Sequence, residues 1–291
     1  MISYNSKEWF SVVKLHRAET FFRLWPLILV FSVYTLIIIF AEREYFHLED
    51  SHPLRHITTL HSLIGFALSM LLVFRTNTAY DRWWEGRRLW GSLVNNCRNL
   101  AIKVGVFIPD NQAERIFFAS AISRFPVALM DHLRATATKF ELDEKPHPEI
   151  PDFDTSLHVP AQAATLIIQR VQMLRKQGLL TPEDVLFMNP ELTSFMDICG
   201  ACERIRNTPI PFSYSAFIKK FILLYVVTLP FGFAFSLGYL SIPLVALIFY
   251  ILASLEIIAE EIEEPFGMDP NDLPMPRLCH TINKTVNEIL A

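Results

Sequence analysis

Residues Ser62–Arg87 read SLIGFALSMLLVFRTNTAYDRWWEGR, and the fold turns on how this stretch is read. Its apolar half, up to Phe74, runs into polar RTNTAYDRWWEGR with neither Gly nor Pro at the junction, so the pattern predicts one helix that leaves a bilayer without stopping. Within it Ser62, Phe66, Met70 and Phe74 recur at steps of four and share one narrow face, a small residue followed by three bulky apolar ones. Repeated around a symmetry axis, such a stripe forms stacked hydrophobic rings, an arrangement that can close an aqueous pore by dewetting. The same spacing also suits a stripe packed in a core or against lipid.

Working outward, hydrophobic residues make up 52% of the 291 and include 24 Phe, yet 19% of the chain is charged. That balance asks for a membrane part and a large water-exposed part. Four stretches are apolar enough to span, at about 24–41, 57–74, 221–240 and 242–259, the last reaching its length only past Glu256. Spans of about 18 to 20 residues match a hydrocarbon core of about 30 Å at about 1.5 Å per residue. The basic stretch before Leu24 is long and no small-residue cleavage site follows the apolar run, which argues against a secretory signal.

Lys7, Lys14, Arg17 and Arg23 precede the first span, whereas the loop from Glu42 to His56 holds only Arg43 and Arg55 among its acids. Arg75, Arg82, Arg87 and Arg88 follow the second span, and Lys219 and Lys220 precede the third. The excess of positive charge therefore places both termini and the long middle segment, about 75–220, in the cytoplasm, with a cytoplasmic tail at 260–291. Helical spacing recurs over Leu89–Val106, Asn111–Lys139 and Ala161–Gln177, and again from Pro182 toward Arg206. Asp110 and Asn111 offer caps, Gly178 a stop, and Thr208–Phe212 a break. With no alternating strand pattern, internal repeat or low-complexity tract, the chain reads as all-α, a single unit over 1–291.

Several constellations invite chemistry. Cys199 and Cys202 form a CxxC that lacks the second pair of a zinc site and the strand-to-helix setting of a redox motif, so buried structural cysteines are the plainer reading. His47, His52, His56 and His61 cluster in or beside the outer loop, as a surface metal site or as ordinary loop histidines. No phosphate-cradling Gly loop, nucleophile elbow or paired Glu-x-x-His is present. Glu256, Glu260, Glu261, Glu263 and Glu264 precede PFGMDPNDLP, where Asp269 and Asp272 stand three apart. Carboxylates and turn carbonyls suit calcium, while a solvated acidic helix end with Asp272 as a cap is the alternative. Asp81, beside Arg75, Asn77 and Arg82 at the lipid exit, is expected to pair with bases of neighbouring subunits, with Trp83 and Trp84 as interfacial anchors.

Three motifs in order, SLIGFALSMLLVFRTNTAYDRWWEGRRLW, GACERI followed by TPIPFSY, and EEPFGMDPNDLP, resemble the bestrophin family in its bacterial branch. The resemblance implies a homopentameric ion channel with four membrane helices per subunit, a cytoplasmic helical vestibule and one central pore. It places the family's three neck residues at Phe66, Met70 and Phe74, the stripe that periodicity picks out. An ungapped count back from GACERI puts the family's cytoplasmic constriction at Glu183. Asp269 and Asp272 match two acids of the calcium clasp in animal relatives, with Pro270 and Asn271 in place of the acids between them.

The expectation is an inner-membrane channel for small monovalent ions, with itself, the bilayer and the permeating ions as partners, no nucleic acid, and no required cofactor, calcium being the metal the turn would take. Family resemblance favours chloride. An acidic Glu183 ring and a net charge of -4 favour a sodium-type cation channel instead. A non-conducting scaffold or sensor is the rival from another class. A metal-dependent membrane enzyme built on Glu260, Glu264, Asp269 and Asp272 is the third reading.

Overall fold

The computed structural model describes residues 20–45, 57–134, 153–154 and 156–291. Eight α-helices order these residues: α1 Thr20–Phe40, extended by a π turn at Ala41–Tyr45, then α2 Ile57–Phe107, α3 Gln112–Leu133 and α4 Val159–Lys176. After them come α5 Pro182–Asn207, α6 Phe212–Leu237, α7 Ser241–Glu263 and α8 Met275–Leu290. No strand occurs among the described residues.

Local chemistry sets most of the boundaries. Ser62–Arg87 and Leu89–Val106, two stretches in sequence, are one helix of 51 residues, because nothing in GRRLWGS interrupts the backbone ladder. Asn111 caps α3 by accepting the Glu114 N–H at 3.2 Å. Helix α4 begins at Val159, two residues before the Ala161 expected from sequence, because the His158 ring accepts the Ala161 N–H and serves as the cap. Thr181 and Asp184 form a reciprocal capping box around Pro182 at the head of α5. Helix α6 starts at Phe212, well before the span predicted from 221, and the break expected before it is present.

The described residues gather into two compact units. One comprises Arg82–Pro209 and Glu264–Ala291. Its core is built on Trp90, Phe117, Phe118, Phe125 and Phe195, with α3 packed on α4 and α8 and α4 on α5. Helix α3 is apolar enough to cross a membrane. It is nonetheless a core helix, mostly buried in this unit, and its Glu114 holds Arg170 of α4 through two bonds of 2.7 Å.

The other unit holds α1, the start of α2 up to Asp81, α6 and α7. Leu24, Phe31, Leu68, Leu72, Val226, Leu229, Val245 and Phe249 fill its interior. Its outer faces are apolar too, with Leu29, Val30, Ile37, Leu63, Leu224 and Leu247 exposed. Helices apolar on both faces are those of a bundle solvated by lipid rather than by water.

Candidate permeation path

On α2 the stripe Phe66, Met70 and Phe74 is exposed by 65%, 45% and 56%, and with Ser69 and Val73 it lines a shallow apolar depression of about 200 Å³. The opposite face of the same helix, His61, Leu68, Leu72, Arg75 and Ala79, is buried. It is held against α6, where the His61 ring meets the Thr228 hydroxyl at 3.0 Å and the Tyr214 hydroxyl donates to the Leu71 carbonyl. Gly65 allows the closest approach, since a Cβ there would stand 2.8 Å from the Tyr225 hydroxyl oxygen. The core reading of the stripe is thereby removed. Among the described residues nothing covers it, so it faces lipid, a lumen or a neighbouring subunit.

The acids of this stretch divide between interior and solvent, Glu256 and Glu263 being buried and Glu260 and Glu264 exposed. Glu256, Glu260 and Glu263 fall on one face at spacings of four and three. The Arg75 guanidinium bonds Glu263 at 2.7 Å and approaches Glu256 at 3.6 Å, all three side chains being almost fully buried. The second Glu263 oxygen accepts the Ile210 N–H at 2.7 Å, which fixes the chain entering α6. Glu260 pairs with Lys219 at 2.9 Å near solvent. Arg75 is therefore paired with Glu263 inside its own subunit, while its Nε and Nη1 have no hydrogen-bond partner among the described residues.

Arg82 is likewise occupied within the chain, donating to the Ile205 and Thr208 carbonyls at 2.6 Å each and so closing the C-terminus of α5. Trp83 donates to the Asn271 carbonyl at 3.0 Å. Gly86 leaves room for Pro265 and Phe266, which a Cβ would meet at 3.2 Å. Parts of the three resembling motifs, RWWEG, CERI with TP, and EEPFG, thus meet in one packed junction.

Beyond Phe266 the chain makes a tight turn. The Asp272 carboxylate accepts the Asp269 N–H at 2.6 Å and lies over Gly267, where a Cβ would stand 2.6 Å from Oδ2. Asp272 is buried, Asp269 is exposed, and the Asn271 carbonyl is engaged by Trp83. Asp272 does not cap α8, whose N-cap position is Pro274 and has no side-chain cap bond. Two of the oxygens a calcium shell would draw on are thus committed to the protein itself, against the six to eight such a shell takes.

Glu183 is exposed in the first turn of α5, one residue past Pro182, with Leu186 and Phe187 exposed beside it. Cys199 and Cys202 are buried on the inner face of α5, where burial pushes both thiols up to about 12, helped by the Glu203 charge at Cys199 and by Cys199 and then Glu203 at Cys202. His47, His52 and His56 lie outside the described residues, and His61 faces Thr228. Among the described residues the acids of the enzyme reading do not gather. The ligand-type groups that do are His132, His158 and Glu203, a trio the sequence conceals because its members come from three helices. Sequence reading also missed the partners of Arg75 and Arg82, although their depth at the end of an apolar run signals that partners are required.

A family model described as Bacterial/Fungal Bestrophin protein matches residues 1–288. The chain is 36% identical over 239 residues to a voltage-dependent anion channel-forming protein of Nostoc sp., covering 78% of this chain and 76% of that one. Over 294 residues it is 30% identical to voltage-dependent anion channel-forming protein YneE of Escherichia coli, covering 97% and 91%. Its fold is similar to that in a crystal structure of a bacterial Bestrophin homolog from Klebsiella pneumoniae, with a TM-score of 0.78, 26% identity, and 92% and 99% of the two chains covered. Taken with its apolar helices, these matches show a multi-pass membrane protein that belongs to the bacterial and fungal bestrophin family.

Proposed function

We propose that the chain is one subunit of a homopentameric inner-membrane channel, both termini cytoplasmic, that passes small monovalent ions, anions before cations, through a neck formed by Phe66, Met70 and Phe74. The observation that carries this reading is the sidedness of α2: a bulky apolar stripe left uncovered while the reverse face is packed on α6. Aromatic ring edges carry partial positive charge that favours anions, and the relatives' names point the same way. No cofactor is required for such a path.

The test is the reversal potential of the purified chain in a planar bilayer under a salt gradient, with and without calcium. A potential near that of chloride and a conductance raised by replacing Phe66, Met70 and Phe74 together with Ala support the neck. Unchanged current through an assembled triple variant removes the gate from this face. Calcium titration is expected to leave the current unaltered, and a response abolished by Asp269→Ala would instead make the turn a calcium site.

A cation-selective variant of the same architecture rests on Glu183, an exposed acid in a first helical turn. A ring of such acids concentrates cations. Glu183→Gln, which removes charge at nearly constant size, is expected to shift the reversal potential toward anions. An unaltered potential would take Glu183 off the narrow path.

A further inference from the structure

His132 near the end of α3, His158 at the head of α4 and Glu203 on α5 converge in the unit formed by Arg82–Pro209 and Glu264–Ala291. The Nε2 atoms of His132 and His158 lie 2.6 and 2.8 Å from the same oxygen, Glu203 Oε1, and the two rings are 4.6 Å apart between centroids. The backbone behind each group is fixed. Arg206 donates to the His132 carbonyl at 2.9 Å, tying the last turn of α3 to α5, and His158 is held by the N–H it caps. All three side chains are part-exposed, so the cluster is open to solvent ions.

We propose that His132, His158 and Glu203 form a binding site for a divalent transition-metal cation of the zinc type. Two imidazole nitrogens and one carboxylate oxygen are a donor set such ions favour over calcium or magnesium, which take oxygen shells. Bonds of about 2.0 to 2.2 Å to a tetrahedral ion set ligand atoms somewhat over 3 Å apart. The Glu203 oxygen therefore moves away from each imidazole nitrogen by well under 1 Å to admit it, leaving a fourth position for water.

Binding has a consequence for α4. The Ala161 N–H donates to His158 Nδ1 at 3.1 Å, so the His158 ring proton sits on Nε2, where it bonds Glu203. Nε2 ligates only when that proton is on Nδ1, and a protonated Nδ1 no longer accepts from Ala161. The ion thus exchanges the cap of α4 for a cross-link between three helices.

The experiment uses the full, tag-free chain in detergent, titrated with cobalt(II) as a visible probe and then displaced by zinc. Expected are one tightly held ion per subunit with a tetrahedral cobalt spectrum, affinity lowered about tenfold or more in His132→Gln and in Glu203→Gln, and no change in the surface control His280→Ala. Both test variants keep hydrogen-bonding groups in place, and helical circular dichroism and elution volume establish that they fold. Zinc is further expected to speed hydrogen exchange at the Ala161 amide. Absence of a tetrahedral spectrum, binding indifferent to both variants, or an unmoved Ala161 amide in the bound state each overturns the site as assigned.

Discussion

Arg75 is the residue on which the membrane unit depends most. Two buried carboxylates surround one buried guanidinium, and removing one member of such a set leaves uncompensated charge where water cannot reach it. Arg75→Met is expected to cost about 3 to 5 kcal/mol, read as a large drop in the unfolding midpoint of the detergent-solubilised protein. Adding Glu256→Gln and Glu263→Gln should recover most of that loss, since the charges then go together. A triple variant no more stable than the single one would mean that Arg75 acts through packing of its stem. The sequence announces that Arg75 needs a partner but not which one, because local spacing offers only neighbours on the same helix, and Glu256 and Glu263 come from a distant one. His132, His158 and Glu203 were unreadable for the same reason.

At the scale of elements, caps and breaks were the most legible features. Asn111, Gly178, Pro182 and the Thr208–Pro211 break act as their residue types require, since each works through backbone groups within a few positions. Lengths were less legible: Ser62–Arg87 and Leu89–Val106 read as two stretches yet form one helix of 51 residues, because GRRLWGS carries no stop signal to mark either outcome. The junction of α6 and α7 turns on Gly238, whose φ of +55 disfavours any side chain and whose Cβ position lies 2.7 Å from the Arg43 guanidinium. Gly238→Ala is expected to lower stability by about 1 to 3 kcal/mol through backbone strain and displacement of Arg43. A thermal midpoint equal to that of the parent would show that the turn relaxes freely.

For the whole molecule, the stripe on α2 was visible in the sequence as a periodicity, and the structure adds that its other side is occupied. What the sequence could not supply is the division of charged groups between subunit and assembly. Arg75 and Arg82 are used internally, whereas Asp81 is exposed on its subunit. In the proposed pentamer Asp81 meets a base of the adjoining subunit, so Asp81→Asn is expected to shift the detergent-solubilised oligomer toward smaller species in native mass measurement. A pentamer of parental stability would place Asp81 in solvent.

The Arg75 cluster also limits the work that an electric field could do on the membrane unit. An electric field across a membrane does work only on charge that moves through it, about 2.3 kcal/mol per elementary charge per 100 mV. Arg75 and Glu263 are joined at 2.7 Å and buried together, so any shift of α2 with α7 carries that pair as a neutral dipole, and within the cluster only a charged Glu256 adds gating charge. The work such a field can do on this unit is then left to charges that the Arg75–Glu263 clamp does not hold.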